Sequence, residues 1–196
     1  GSGRYTGCVA GGLLVDDARN LLDGVVALRR KLHACPELGL SLPETKRAVL
    51  DALAGLPLEL WESERTSGVV ATLRGARPGP TLMLRADMDA LPMPEDTGLA
   101  FASTNAGTMH ACGHDAHTAM LLGVARILAG MRKELPGNVR FIFQPCEEFP
   151  PGGAMSAGPP AAPQLLMMKR RSSVLTTRLP VTSAGQGSRM LSFLLD

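Results

Sequence analysis

Between residues 16 and 33 the apolar positions Ala18, Leu21, Leu22, Val25 and Leu28 fall on one face of a helix. Asp16 or Asp17 can cap its start. Arg29, Arg30, Lys31 and His33 gather at its negative end, and Pro36 stops it. That position makes His33 a helix-end residue rather than a ligand. Ser41-Leu42-Pro43-Glu44 reads as a capping box with proline in the first turn, opening a second helix that runs to about Leu53 and ends before Gly55 and Pro57. Apolar and β-branched runs at 58–62, 68–73 and 81–85 predict strands, the last two joined as a hairpin across the Gly/Pro turn at 75–80. Residues 93–110 carry turn formers and predict an irregular loop. A helix follows at 119–128, with Met120, Leu121, Val124, Ile127 and Leu128 at helical spacing, then a buried strand at 138–145 with Val139, Phe141, Ile142 and Phe143. Helices and strands in this order read as α/β. Past Pro145 prolines crowd the chain and no period survives. Residues 165–196 mix apolar and basic positions like a tail or linker.

Composition narrows this picture. The 196 residues suffice for one large or two small domains, and 45% hydrophobic content with only 4% aromatics requires an aliphatic core. A net charge of +2 gives no basis for nucleic-acid or acidic-membrane partners. There is no apolar run of transmembrane length, and the glycine-rich start lacks the basic region of a signal peptide. The four cysteines (Cys8, Cys35, Cys112, Cys146) are scattered and form no Cys-x-x-Cys pair, which argues for free thiols in a reducing cytoplasm.

Candidate chemistry concentrates at 107–117, Gly-Thr-Met-His-Ala-Cys-Gly-His-Asp-Ala-His. Cys112 and His114 can reach one metal ion if Gly113 lets the backbone bend between them. Asp115 suits the N-terminus of the helix that follows. Glu147-Glu148, just past the strand at 138–145, can divide the work, one ligating and one acting as base, or can be a solvated turn. Asp87 and Asp89, beyond the strand at 81–85, are either crevice carboxylates or turn formers before Pro92.

Four ordered motifs then carry a resemblance: Leu32-His33-Ala34-Cys35-Pro36-Glu37-Leu38-Gly39, Arg85-Ala86-Asp87-Met88-Asp89-Ala90-Leu91-Pro92, residues 109–117, and Phe143-Gln144-Pro145-Cys146-Glu147-Glu148. From residue 16 to 154 the chain resembles the N-acyl-amino-acid amidohydrolases, the hippurate hydrolase and auxin-conjugate hydrolase branch of the M20 metallopeptidases. The resemblance implies a zinc-peptidase-like α/β/α catalytic domain holding two divalent ions, zinc, manganese, cobalt or nickel. It implies Cys112, His114 and Glu148 as metal ligands, Glu147 as general base, Asp89 as the residue orienting a ligand, and Asp87 behind the site. His110 and His117 belong to the motif without being implied as ligands. The implied substrate is a small N-acyl or N-aroyl amino acid, cleaved at the amide.

The chain also departs from the family pattern. It has no histidine after His117, whereas the family uses two further histidine ligands. The inserted ferredoxin-like domain, through which the family homo-oligomerises, is absent from the sequence. The expected organisation is therefore a flexible segment at 1–15, the N-terminal half of a catalytic domain at 16–154, and an unrelated tail at 155–196. On this reading the inherited activity is impaired. The alternative is a truncated, non-catalytic relative that binds at most one metal. A third reading, from another class, makes Cys112 a nucleophile with a nearby histidine as base.

Overall fold

The computed structural model describes residues 8–150 and 152–153. Helix α1 spans Cys8–Ala34 and α2 spans Pro43–Leu53; strands β1 (Leu58–Glu62), β2 (Val69–Arg74) and β3 (Arg77–Asp87) follow, then α3 (His114–Gly130) and β4 (Pro136–Gln144). Most predicted elements are present, with shifted ends. The first helix begins at Cys8 rather than 16, so only residues 1–7 of the expected flexible segment lie outside the described residues. The third helix begins at His114 rather than 119, which makes a candidate ligand its first residue. The expected tail at 155–196 lies outside the described residues.

The predicted hairpin is overturned. The sheet order is β1-β2-β4-β3, so β2 and β3 never pair; β4 lies between them, antiparallel to β2 and parallel to β3. The reason is the character of β4. Val139, Phe141 and Phe143 face the helices while Ile142 packs with Val70 on the opposite face. A strand apolar on both faces is most stable in the middle of a sheet, with neighbours on both sides. The true hairpin is β1–β2, with Leu58 opposite Leu73 and Glu62 opposite Val69.

The capping box is also corrected. Leu42 is the N-cap and makes no side-chain cap bond. The orphan N–H groups of Glu44 and Thr45 donate instead to the Glu37 carboxylate, at 3.2 and 2.8 Å. A full negative charge at the positive end of a helix is a stronger acceptor than the Ser41 hydroxyl.

One continuous core joins the layers. Val49 and Leu53 of α2, Leu121, Leu122 and Ala125 of α3, and the inward residues of β2 and β4 are all buried together with Ala86 and Met88 at the end of β3. Phe141 and Phe143 are fully buried, each worth about 1.5–3 kcal/mol of transfer free energy. Helix α1 crosses α3 where Gly123 leaves room: a Cβ there would lie 3.0 Å from Val25 Cγ2. The β3–α3–β4 unit is a parallel crossover. It brings the C-terminal ends of β3 and β4 side by side, and the N-terminus of α3 to the same edge.

The opposite end of that crossover depends on Gly137. Its φ is 73°, and a Cβ there would lie 1.9 Å from the Pro80 carbonyl oxygen. Gly98 has a similar φ of 67° but open space around it. Gly98→Ala is therefore expected to cost about 1–2 kcal/mol from the left-handed conformation alone. Gly137→Ala must cost more, because β3 and β4 have to separate. Urea unfolding of both variants checks this, and equal losses would contradict the role given to the close β3–β4 approach.

Candidate metal centre

The site forms where three chain segments meet: the end of β3, the first turn of α3, and the turn after β4. Gly113 is the N-cap of α3 at φ 88°, so the backbone reverses between Cys112 and His114 as their spacing requires. One ligand atom each from Cys112, His114 and Glu148 lies within 4.8 Å of the others. Glu148 Oε1 is buried, has no hydrogen-bond partner, and sits 3.8 Å from His114 Nε2.

Asp89 holds these parts together. It is fully buried, and its carboxylate accepts the N–H groups of Glu147 at 2.9 Å and Glu148 at 3.2 Å. Its carbonyl oxygen lies 2.8 Å from His114 Nδ1. A carbonyl can only accept, so Nδ1 carries the proton and a neutral His114 leaves only Nε2 free, pointed toward Glu148. Burial alone would raise the Asp89 pKa, but His114 and the two backbone donors outweigh it and keep the carboxyl below its usual range. Burial likewise opposes charge on His114, and Asp89 outweighs that too, raising the imidazole pKa.

The turn carrying the glutamates is strained. Cys146 has φ 55°, the only positive value at a non-glycine among the described residues. Gly153 N–H donates to its carbonyl at 2.9 Å and closes the turn. In consequence Glu147 is exposed while Glu148 is partly buried, so the adjacent carboxylates have different surroundings.

Cys112 is exposed, yet its thiol is pushed up to about 11 by a hydrogen bond to Glu148, by burial of the sulfur, and by the charges of Glu148, Glu147 and Asp87. A nucleophilic cysteine needs the opposite shift, which counts against the thiol-hydrolase reading. A cation reverses that logic, because a coordinating thiol is deprotonated. The residues therefore fit a divalent ion: an orphaned carboxylate oxygen, an oriented imidazole and a thiol in an excess of negative charge.

Asp87 ends β3 and is buried. Its Oδ2 accepts from Arg85 Nη2 at 2.9 Å, and its Oδ1 has no partner. It stands beside His114 and His117, with one possible ligand atom from each of the three within 4.8 Å of the others. The signal for His117 was its spacing, since residues three apart share a helix face.

A buried network around His33 has no counterpart in the sequence reading. His33 sits in the last turn of α1 as expected, but its Nδ1 lies 2.6 Å from Asp115 Oδ2 and its Nε2 lies 3.2 Å from Glu95 Oε1. Arg29 Nε reaches the same Asp115 oxygen at 2.8 Å. Asp115 thus pins the start of α3 to the end of α1 in addition to serving its first turn, where Oδ1 lies 2.8 Å from Ala116 N. Beside it His110 is buried with both ring nitrogens unpartnered, and burial lowers its pKa to about 4.

Comparison with known proteins gives a consistent picture. Residues 83–171 match the model of peptidase family M20/M25/M40. An N-acyl-L-amino acid amidohydrolase of Geobacillus stearothermophilus is 49% identical over 142 residues, 72% of this chain and 37% of that protein. The N-acetylcysteine deacetylase of Bacillus subtilis is 46% identical over 129 residues, covering 65% and 34%. The crystal structure of the Bacillus subtilis YXEP protein, a dinuclear metal binding peptidase from the M20 family, superposes with a TM-score of 0.67 at 43% identity, covering 71% of this chain and 40% of that one. The chain thus spans little more than a third of the length of these relatives.

Two expectations follow from the buried groups. Unfolded, His110 takes up a proton near its ordinary 6.5, but folded only near 4. Its contribution is therefore lost as pH falls from 6.5 to 4, by about 3 kcal/mol in all. His110→Leu should flatten the stability profile across that window in urea titrations, and an unchanged slope would show that His110 does not control it. Asp89→Asn turns one acceptor oxygen into a donor facing a backbone N–H. It should cost about 1–3 kcal/mol and speed amide exchange at Glu147 or Glu148. Unaltered exchange there would mean that Asp89 does not hold the turn.

Proposed function

The chain belongs to peptidase family M20/M25/M40, as a partial relative, and on that premise we propose that it is a metal-dependent amidohydrolase acting on N-acyl or N-aroyl amino acids. Residues 16–154 are read as part of the catalytic domain. Cys112, His114 and Glu148 are assigned as ligands of a divalent ion: zinc, manganese, cobalt or nickel. The observation that carries this reading is the Asp89 carboxylate. It fixes Glu148 within ligand distance of His114 and leaves Glu147, the neighbouring carboxylate, exposed.

A divalent ion bound there supplies Lewis acidity toward an amide carbonyl and toward water. The protein's own groups do the rest. Glu147 takes the proton of the attacking water and returns it to the nitrogen as the C–N bond breaks, worth about 10²–10⁴ in rate. Asp89 orients His114 through its carbonyl and fixes the turn through its carboxylate. Deacylated amino acid and free acid leave as products. The substrate is a small molecule. Acetyl amides are the class to try first, given the names of the relatives, with the hippurate-like amides of the resemblance beside them.

A single ion is favoured by one feature: both candidate ligand groups use His114. This supports the narrower reading, in which these 196 residues bind one metal and turn over slowly or not at all. The reducing cytoplasm is the proposed compartment, because Cys35, Cys112 and Cys146 are free thiols. No helix among the described residues is long and apolar enough to cross a membrane.

The test is to purify the chain with zinc or manganese, count bound metal, and follow amine release from N-acetyl and hippurate-like substrates. Cys112→Ser and His114→Ala should weaken metal binding. Glu147→Gln should keep the metal and lower any turnover by about 10²–10⁴. Turnover that survives a chelator but is lost on alkylation would replace this reading with a thiol hydrolase.

A further inference from the structure

Of the three free cysteines among the described residues, Cys146 is buried and Cys112 belongs to the candidate metal centre. Cys35 is exposed and has no part in that centre. It is the first residue after α1, and its N–H donates to the Leu32 carbonyl at 3.1 Å. It borders a cavity of about 60 Å³ between the end of α1 and the first turns of α2, lined also by Lys31, Glu44, Thr45 and Arg47.

The charges around this cavity favour an anion. Lys31 makes no hydrogen bond or ion pair among the described residues. Arg47 meets Glu44 only at 3.9 Å, with both side chains more than half exposed, a pairing that contributes little. Two cations thus stand against one carboxylate. The neighbouring Glu37 carboxylate is already taken by the N–H groups of Glu44 and Thr45. Thr45 adds an independent observation. It is 3% exposed, and its hydroxyl oxygen has no hydrogen-bond partner. A buried polar group left that way costs about 1–3 kcal/mol, and a carboxylate or amide in the cavity supplies the missing partner. Cys112 has the opposite surroundings. A hydrogen bond to Glu148, burial, and the charges of Glu148, Glu147 and Asp87 push its thiol up to about 11. An anionic reagent is repelled there and attracted at Cys35.

We propose that Cys35 is a site of reversible thiol–disulfide exchange with small acidic disulfides of the glutathione type. Lys31 and Arg47 hold the reagent's carboxylates, and the Thr45 hydroxyl donates to one of its polar oxygens. The Cys35 thiol gives its proton to solvent, and the thiolate attacks one sulfur of the disulfide. The reagent's S–S bond breaks as the new S–S bond to Cys35 forms. One half stays on Cys35; the other leaves as a thiolate and takes up a proton. The Cys35 sulfur is oxidised and the departing sulfur is reduced, so the disulfide is the only oxidant required. This site is independent of the metal-centre reading.

Oxidised glutathione tests this on the full chain carrying Cys8→Ser, with EDTA present so that no metal shields Cys112. Peptide mapping by mass spectrometry should place the mixed disulfide on Cys35 at least about tenfold faster than on Cys112. Cys35→Ser should abolish that adduct. Neutral 2-hydroxyethyl disulfide separates recognition from intrinsic reactivity. In the double variant Lys31→Ala/Arg47→Ala, the ratio of glutathione to hydroxyethyl rates should fall about two- to tenfold, the reach of two exposed ion pairs. Thr45→Val, which is nearly isosteric, should lower the same ratio about two- to tenfold, as for one hydrogen bond. Lys31, Cys35 and Arg47 are exposed, so their variants should keep the wild-type circular dichroism and decide the matter even if Thr45→Val does not fold. The site is overturned if Cys112 is modified as fast as Cys35, or if the ratio is indifferent to the loss of Lys31 and Arg47.

Discussion

The candidate site depends on one buried carboxylate. Asp89 is fully buried and accepts hydrogen bonds from two consecutive backbone amides that lie far away in sequence. An unpaired charge at that depth would cost several kcal/mol, so its partners are obligatory rather than decorative. The turn after β4 must close onto the end of β3, and His114 must lie against the Asp89 carbonyl. The placement of His114 and of the Glu147–Glu148 turn follows from satisfying this group. Even the strained φ of 55° at Cys146 has a local reason, since the turn must aim two successive N–H groups at one carboxylate.

The sheet order makes that closure possible. With β3 and β4 paired in parallel, their C-terminal ends lie side by side, Asp87 opposite Gln144, and the Met88 N–H donates to the Gln144 carbonyl at 2.9 Å. The direct β3–β4 pairing is what makes the two carboxylate-bearing segments adjoin. The site is thus a consequence of the crossover through α3 as much as of the motifs. The Arg29–Asp115–His33–Glu95 network acts at the back of the same helix, where it ties the start of α3 to α1 and to the 93–110 loop.

Local signals in the sequence were reliable where the chemistry is local. Cys112, Gly113 and His114 are neighbours, so their spacing sufficed to predict convergence, and helix and strand periods located most elements. The failures share a cause. The turn residues at 75–80 predicted a hairpin because they are adjacent in sequence, while the decisive fact was the two-sided apolar character of β4. Ser41 reads as a cap because it is next to α2, while the acceptor is Glu37, which reaches across from the preceding loop. The helix dipole alone assigns His33 in the sequence, because its partner Asp115 is 82 residues away. Burial and long-range pairing decide such cases, and a single sequence encodes them only through the fold.

The remaining constraint is charge. A hydrogen bond to Glu148, burial of the sulfur and the charges of Glu148, Glu147 and Asp87 push the Cys112 thiol up to about 11, yet Arg85 is the only basic side chain hydrogen-bonded within this group among the described residues. Natural proteins keep such anionic concentrations where a ligand offsets them, since like charges packed together oppose folding. Two orphaned buried oxygens, Asp87 Oδ1 and Glu148 Oε1, lie in the two groups that share His114. A cation held by Cys112, His114 and Glu148 would relieve the repulsion and convert the thiol to a thiolate. On the proposed reading metal binding and folding would be coupled, because an ion would offset the charges gathered at this site.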